Sequence, residues 1–179
     1  MSNLVTKNVT SFEQMFESCH KLTEIIGLEN FDTSNGFGFE EMFQNCSSLK
    51  ELNLSSFDTT KAKDGEPTSA NGSTTRTLLN MFYNMRSLEK ITLGEKFSFN
   101  GDGTTTSSIA VLPTPTSGYW YTKDGKAYAP NAIPNRTAAV YYAVLPTSDE
   151  MSRGKIWLLH RMFSKPIAHA LTGRWFFYG

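Results

Sequence analysis

The stretch from Phe39 to Thr59 constrains this chain more than any other. Phe39, Met42, Phe43 and Cys46 stand at i, i+3, i+4 and i+7, the spacing of one face of a short helix. Leu52, Asn53 and Leu54 then alternate apolar and polar, the mark of a half-buried strand. A helix period that gives way so soon to a strand period describes one supersecondary unit. Such a unit is too small to bury its own apolar face and must lie against copies of itself.

The copies are present. Phe12, Met15, Phe16, Cys19 and Leu22 repeat the pattern 27 positions upstream, counted from Met15 to Met42. Leu78, Met81, Phe82, Met85 and Leu88 repeat it 39 positions downstream, counted from Met42 to Met81. Phe31-Asp32-Thr33 recurs as Phe57-Asp58-Thr59, a period of 26. The first unit therefore holds one extra residue near Ile25-Ile26-Gly27. The third holds an insertion of 13 within 62–76, rich in Gly, Ser, Thr, Asn, Pro and Lys as a solvated loop is.

Taken in order, each unit predicts a short helix followed by a strand. The strands are Leu22 to Leu28, Leu49 to Leu54 and Leu88 to Leu93. Asp32, Thr33 and Ser34 are expected to accept hydrogen bonds from the free amides of the second helix, whose start Gly36 and Gly38 loosen. The outward strand positions form two ladders, Glu24, Glu51, Lys90 and Ile26, Asn53, Thr92, with rungs ~4.8 Å apart. Such a face is either a solvated sheet surface or a binding surface; Glu24, Glu51, Asn53, Lys90 and Thr92 are the candidate ligand-binding residues.

From Ser98 the repeat stops. Ile109 to Leu112 reads as a strand ended by Pro113 and Pro115. Tyr119 to Tyr128 reads as a β-hairpin around Asp124-Gly125, and Tyr141 to Leu145 as a further strand. Residues 98–146 are thus expected to form a small β cap on the repeat region of 1–97. Tyr119, Trp120 and Tyr121 offer an aromatic platform for a sugar ring or a choline-like cation, although burial of Trp120 in the cap core is the favoured reading.

The segments Phe31-Asp32-Thr33-Ser34-Asn35, Met42-Phe43-x-x-Cys46-x-x-Leu49 and Leu52-x-Leu54-Ser55-Ser56-Phe57-Asp58-Thr59 resemble the 26-residue leucine-rich repeat of BspA-like bacterial surface proteins. The resemblance covers roughly residues 3–97, and Ile91 to Phe99 with Tyr119 to Tyr121 look like the non-repeat end of such arrays. The third unit departs from the motif, with Met85 in place of Cys and the inserted loop. The repeat and the resemblance together predict an α/β fold: a short leucine-rich-repeat solenoid of parallel strands and short helices, followed by the β cap. The resemblance also implies a place on the cell surface or in secretion. It implies adhesion or recognition of a host or neighbouring-cell protein or glycan. The alternative is a structural spacer, or a phage tail-type display segment with no ligand of its own.

Composition narrows the partners. Seventeen basic and seventeen acidic residues cancel, so no global field draws in nucleic acid or anionic membrane. The two cysteines, Cys19 and Cys46, occupy one repeat position and read as buried apolar groups. No secretory signal opens the chain, which starts in mid-repeat with no capping element, as a fragment would.

Residues 147–179 differ: Arg153, Lys155, Arg161, Lys165 and Arg174 lie among Trp157, Phe163, Trp175 and Phe176, with no acidic residue after Glu150. Their apolar runs fall far short of the ~20 residues of a membrane span. Such a tail is an extension or the start of a neighbouring module, with contact to a membrane surface as a third reading.

No catalytic constellation stands out. His20 reads as a surface residue, and His160 and His169 have no Cys or carboxylate at motif spacing. Asn100-Gly101-Asp102-Gly103 lacks the opening carboxylate and closing Glu of a calcium loop. The expectation is a non-enzymatic protein without metal or cofactor.

Overall fold

A computed structural model describes residues 4–65, 77–104 and 108–147. The chain divides into two compact units, Met1–Pro146 and Thr147–Gly179. Nearly all of the second unit, with the basic aromatic tail and its two histidines, lies outside the described residues, as does most of the inserted loop.

The first unit is built on one five-stranded mixed sheet. Its strands are β1 (Glu51–Leu54), β2 (Lys90–Leu93), β3 (Trp120–Thr122), β4 (Ala127–Tyr128) and β5 (Ala139–Tyr142), in the order β1-β2-β5-β3-β4. β1 and β2 pair in parallel, Glu51 beside Lys90 and Asn53 beside Thr92. β5 pairs antiparallel with β2 and with β3, and β3 forms the expected hairpin with β4. The strands supplied by 98–146 thus continue the sheet that the repeats begin.

This architecture overturns the expected α/β leucine-rich-repeat solenoid of parallel strands and short helices. The protein is a small β domain. Among the described residues the helical content is one 3-10 turn, Leu28–Asn30. The segments Leu22 to Leu28 and Ile109 to Leu112 are not strands either.

The predicted helices are chains of linked turns, and their hydrogen bonds say why. The amides of Phe39, Glu41, Phe43 and Asn45 donate to the carbonyls of Thr77, Leu79, Met81 and Tyr83 in the next unit. Those of Met42, Gln44 and Cys46 turn back to Phe39, Glu41 and Phe43. The first unit does the same: Phe12, Gln14, Phe16 and Ser18 donate to Gly38, Glu40, Met42 and Gln44. Alternation of this kind needs left-handed backbone at Gln14, Ser18, Glu41, Asn45, Asn80 and Asn84, which costs about 1–3 kcal/mol at a non-glycine residue. Asn tolerates that conformation best.

What forces it is spacing. Parallel strands β1 and β2 rise ~4.8 Å per unit, whereas an α-helix with its side chains is ~10 Å across. Helices stack behind such strands only if the array curves strongly. Here the units are hydrogen-bonded on both sides and leave no room for them. Gly94 records the tight approach, since a Cβ there would lie 2.1 Å from the Ser55 carbonyl oxygen.

In the second and third units the inward positions are nevertheless those that the periodicity singles out. Phe39, Met42, Phe43, Cys46 and Leu49 are fully buried, as are Leu78 and Met81 in the following unit, with Phe82 and Met85 almost so. Rings stack from unit to unit: Phe16 on Phe43 at 5.5 Å, Phe43 on Phe82 at 6.3 Å, and Phe12 on Phe39 at 5.4 Å, all nearly parallel. Each such pair adds about 0.5–1.5 kcal/mol beyond the area it buries.

Thr33 does not act as the expected helix cap. It is buried, and its hydroxyl donates to the Asp58 carbonyl while accepting from the Asp58 amide. Thr6 bridges Asp32, and Thr59 bridges Ser98, in the same way. Asp32 bends back to the Ser34 hydroxyl and amide, which hold its carboxyl below the usual range. Asp58 does likewise with Thr60; burial pushes its carboxyl up, but those bonds and Lys96 outweigh it.

Candidate functional site: the outer face of the sheet

Alternation along β1 and β2 turns Leu52, Leu54, Ile91 and Leu93 inward and leaves Glu51, Asn53, Lys90 and Thr92 outward. Parallel register sets Glu51 beside Lys90, and their side chains meet at 2.6 Å. A second pair, Lys50 with Glu89, lies at 3.0 Å just before the strands. Both are solvent-exposed, so each is worth at most about 1 kcal/mol. Asn53 accepts a hydrogen bond from the Ser55 amide through Oδ1.

Glu24 and Ile26 lie on no strand, yet the segment that carries them runs along β1. Between the two is a groove of about 250 Å³, whose lining includes Glu24, Ile26, Glu29, Glu51, Asn53 and Lys90. Thr92 also lines it. The structure therefore brings together all five of the predicted face residues, Glu24, Glu51, Asn53, Lys90 and Thr92, from three separate parts of the sequence.

Tyr119, Trp120 and Tyr121 form no aromatic platform, and Trp120 lies in the core as the favoured reading expects. Trp120 is completely buried, and its indole N–H donates to the Pro113 carbonyl at 2.9 Å. Strand alternation is the reason: Trp120 points inward with Tyr141, which leaves Tyr121 half-buried on the other side. Tyr119, just before β3, is half-exposed.

Sequence reasoning missed Tyr142. Antiparallel pairing sets it beside Lys90 on one flank and beside Tyr121 on the other. One row thus crosses four strands: Glu51, Lys90, Tyr142, Tyr121. Thr92 and Val140 extend the second row that starts at Asn53. The alternation Val140-Tyr141-Tyr142 signalled that one of the two tyrosines faces out, but nothing in the sequence says which strand lies beside it.

The remaining candidates are structural. Cys46 is fully buried; its thiol donates to the Phe16 carbonyl, and burial, with the neighbouring Cys19, pushes it up to about 11. Cys19, expected to be buried, is exposed, and the two are free thiols. His20 is exposed, with Nδ1 2.9 Å from the Asn45 carbonyl oxygen. Among the described residues no three His, Cys, Asp or Glu side chains cluster as metal ligands would. No helix among them is long and apolar enough to cross a membrane.

Comparison with known proteins bears on the repeat region. Residues 1–75 match the model of a family described as "Mycoplasma protein of unknown function, DUF285". This is a surface-type family related to the BspA-like repeat proteins, and nothing in the match is specific to BspA-like proteins themselves. The matched part is similar to that family; β2 to β5 lie outside it. No curated protein and no solved structure matches the chain.

Proposed function

We propose that this protein is a non-catalytic recognition module of a cell-surface or secreted protein, which holds a host or neighbouring-cell ligand on the outer face of its sheet. The observation that carries this reading is the groove itself. Outward side chains from three distant segments converge on one concave, polar surface. Four of them, Glu51, Asn53, Lys90 and Thr92, sit on paired strands that hold their backbones in place. Rigid placement lowers the ordering cost of binding. The family match at 1–75 supports a surface setting.

The test is capture of immobilised glycans and matrix proteins by the full chain. Binding that disappears in Glu51→Ala with Asn53→Ala, while the circular dichroism spectrum and melting temperature hold, is the expected result. Capture that ignores both substitutions, or no capture at all, would favour a spacer that displays a neighbouring domain.

A further inference from the structure

We infer that the ligand of this face is a polypeptide segment that lies across the strands, with a basic side chain at one end and an aromatic or apolar one a few residues on. This rests on the reading that the sheet face binds, and names the ligand's chemistry.

The argument starts from unequal charge. Glu24, Glu29 and Glu51 line the groove against one cation, Lys90. The Lys90 ammonium is already engaged, 2.6 Å from Glu51. Glu24 and Glu29 are exposed and form no ion pair among the described residues. Between them Ile26 keeps 69% of its surface in solvent, so the acidic end also offers an aliphatic contact. At the other end of the row stand Tyr142 and Tyr121, half-buried and neighbours across β5 and β3.

From Glu51 to Tyr121 the row crosses three strand spacings, ~14 Å, and Glu24 and Glu29 stand across the groove beyond Glu51. An extended chain therefore reaches from those carboxylates to the tyrosines in about six residues. A guanidinium matches a carboxylate through two parallel hydrogen bonds, and an aromatic side chain gains by edge or offset contact with tyrosine rings. A polypeptide supplies both groups at that separation. A neutral glycan leaves the two carboxylates uncompensated, an anionic membrane is repelled by them, and a second copy of this face would set carboxylate against carboxylate.

The experiment uses the full chain and fluorescence anisotropy. The probe is a labelled extended peptide with paired arginines at one end and a tyrosine about six residues on, beside a control peptide with glutamates for the arginines. Binding of the arginine peptide alone, weakened by salt, is expected. Glu24→Gln with Glu29→Gln should reduce affinity at least about tenfold, a loss of ~1.4 kcal/mol. Tyr142→Ala should reduce it by less, and Glu95→Gln, an exposed carboxylate outside the groove lining, should leave it unchanged.

Equal binding of the two peptides, or indifference to the Glu24/Glu29 change, overturns the inference. Failure of the arginine peptide beside a glycan whose capture depends on Glu51 and Asn53 also overturns it, yet leaves the face as the binding surface. Indifference of every bound ligand to Glu51→Ala with Asn53→Ala removes both readings.

Discussion

The first two repeat units carry one pattern and have different fates. Phe12 and Phe16 are buried, like their counterparts Phe39 and Phe43. Met15, however, is 42% exposed where Met42 is fully buried. Cys19 is exposed and Cys46 buried. The difference lies in neighbours. Residues 39–46 hydrogen-bond to a unit on each side, whereas 12–18 do so to one. A periodic apolar stripe states which positions are able to be core; stacking on both faces makes them core.

Substitutions sharpen that contrast. The largest effect is expected at Phe43, sandwiched between Phe16 and Phe82: Phe43→Ala should cost about 3–5 kcal/mol by urea or thermal unfolding. A freely tolerated alanine there would break the account of the core. Met42→Ala should cost about 2–5 kcal/mol, and Met15→Ala, its half-exposed counterpart, under about 1 kcal/mol. Equal losses would mean that the two units are equally enclosed.

The thiols should part in the same way. Iodoacetamide at neutral pH should modify Cys19 within minutes and leave Cys46 untouched until the protein unfolds, as peptide mass mapping would show. Reaction is through the thiolate, and Cys46 is held protonated by burial up to about 11.

The smallest effect concerns Glu13 in the first unit. Burial, then the charges of Glu40 and Glu41, raise its carboxyl, and its buried Oε1 has no hydrogen-bond partner. A group whose pKa is raised by folding favours the folded state when protonated and loses that contribution as pH rises. Glu13→Gln should therefore raise the melting temperature at pH 7, with the advantage fading as pH falls through the carboxylate range. A variant less stable than the parent at pH 7 would show that the charge is compensated.

Much of this was legible without coordinates. The inward set of the second and third units, the alternation at Glu51 to Leu54 and Lys90 to Leu93, and the hairpin at Asp124-Gly125 follow from spacing and turn chemistry. So does the placement of Glu51 beside Lys90 and of Asn53 beside Thr92, because a repeat brings equivalent positions together. Glu24, expected on a strand of the same ladder, reaches the groove from a segment that forms none. The α-helices were misread because i, i+3, i+4, i+7 is a statement about which side chains share a side. A chain of turns with left-handed residues at Glu41 and Asn45 meets the same spacing.

By itself the sequence determined which positions are able to turn inward and that the units would stack, since apolar pattern and period are local properties of the chain. Only the tertiary structure decided that the backs of the units rise in step with their strands. That left hydrogen-bonded turns where helices do not fit. It also set Tyr142 beside Lys90. Which strand lies next to which is a matter of long-range hydrogen bonding, and no local pattern encodes it.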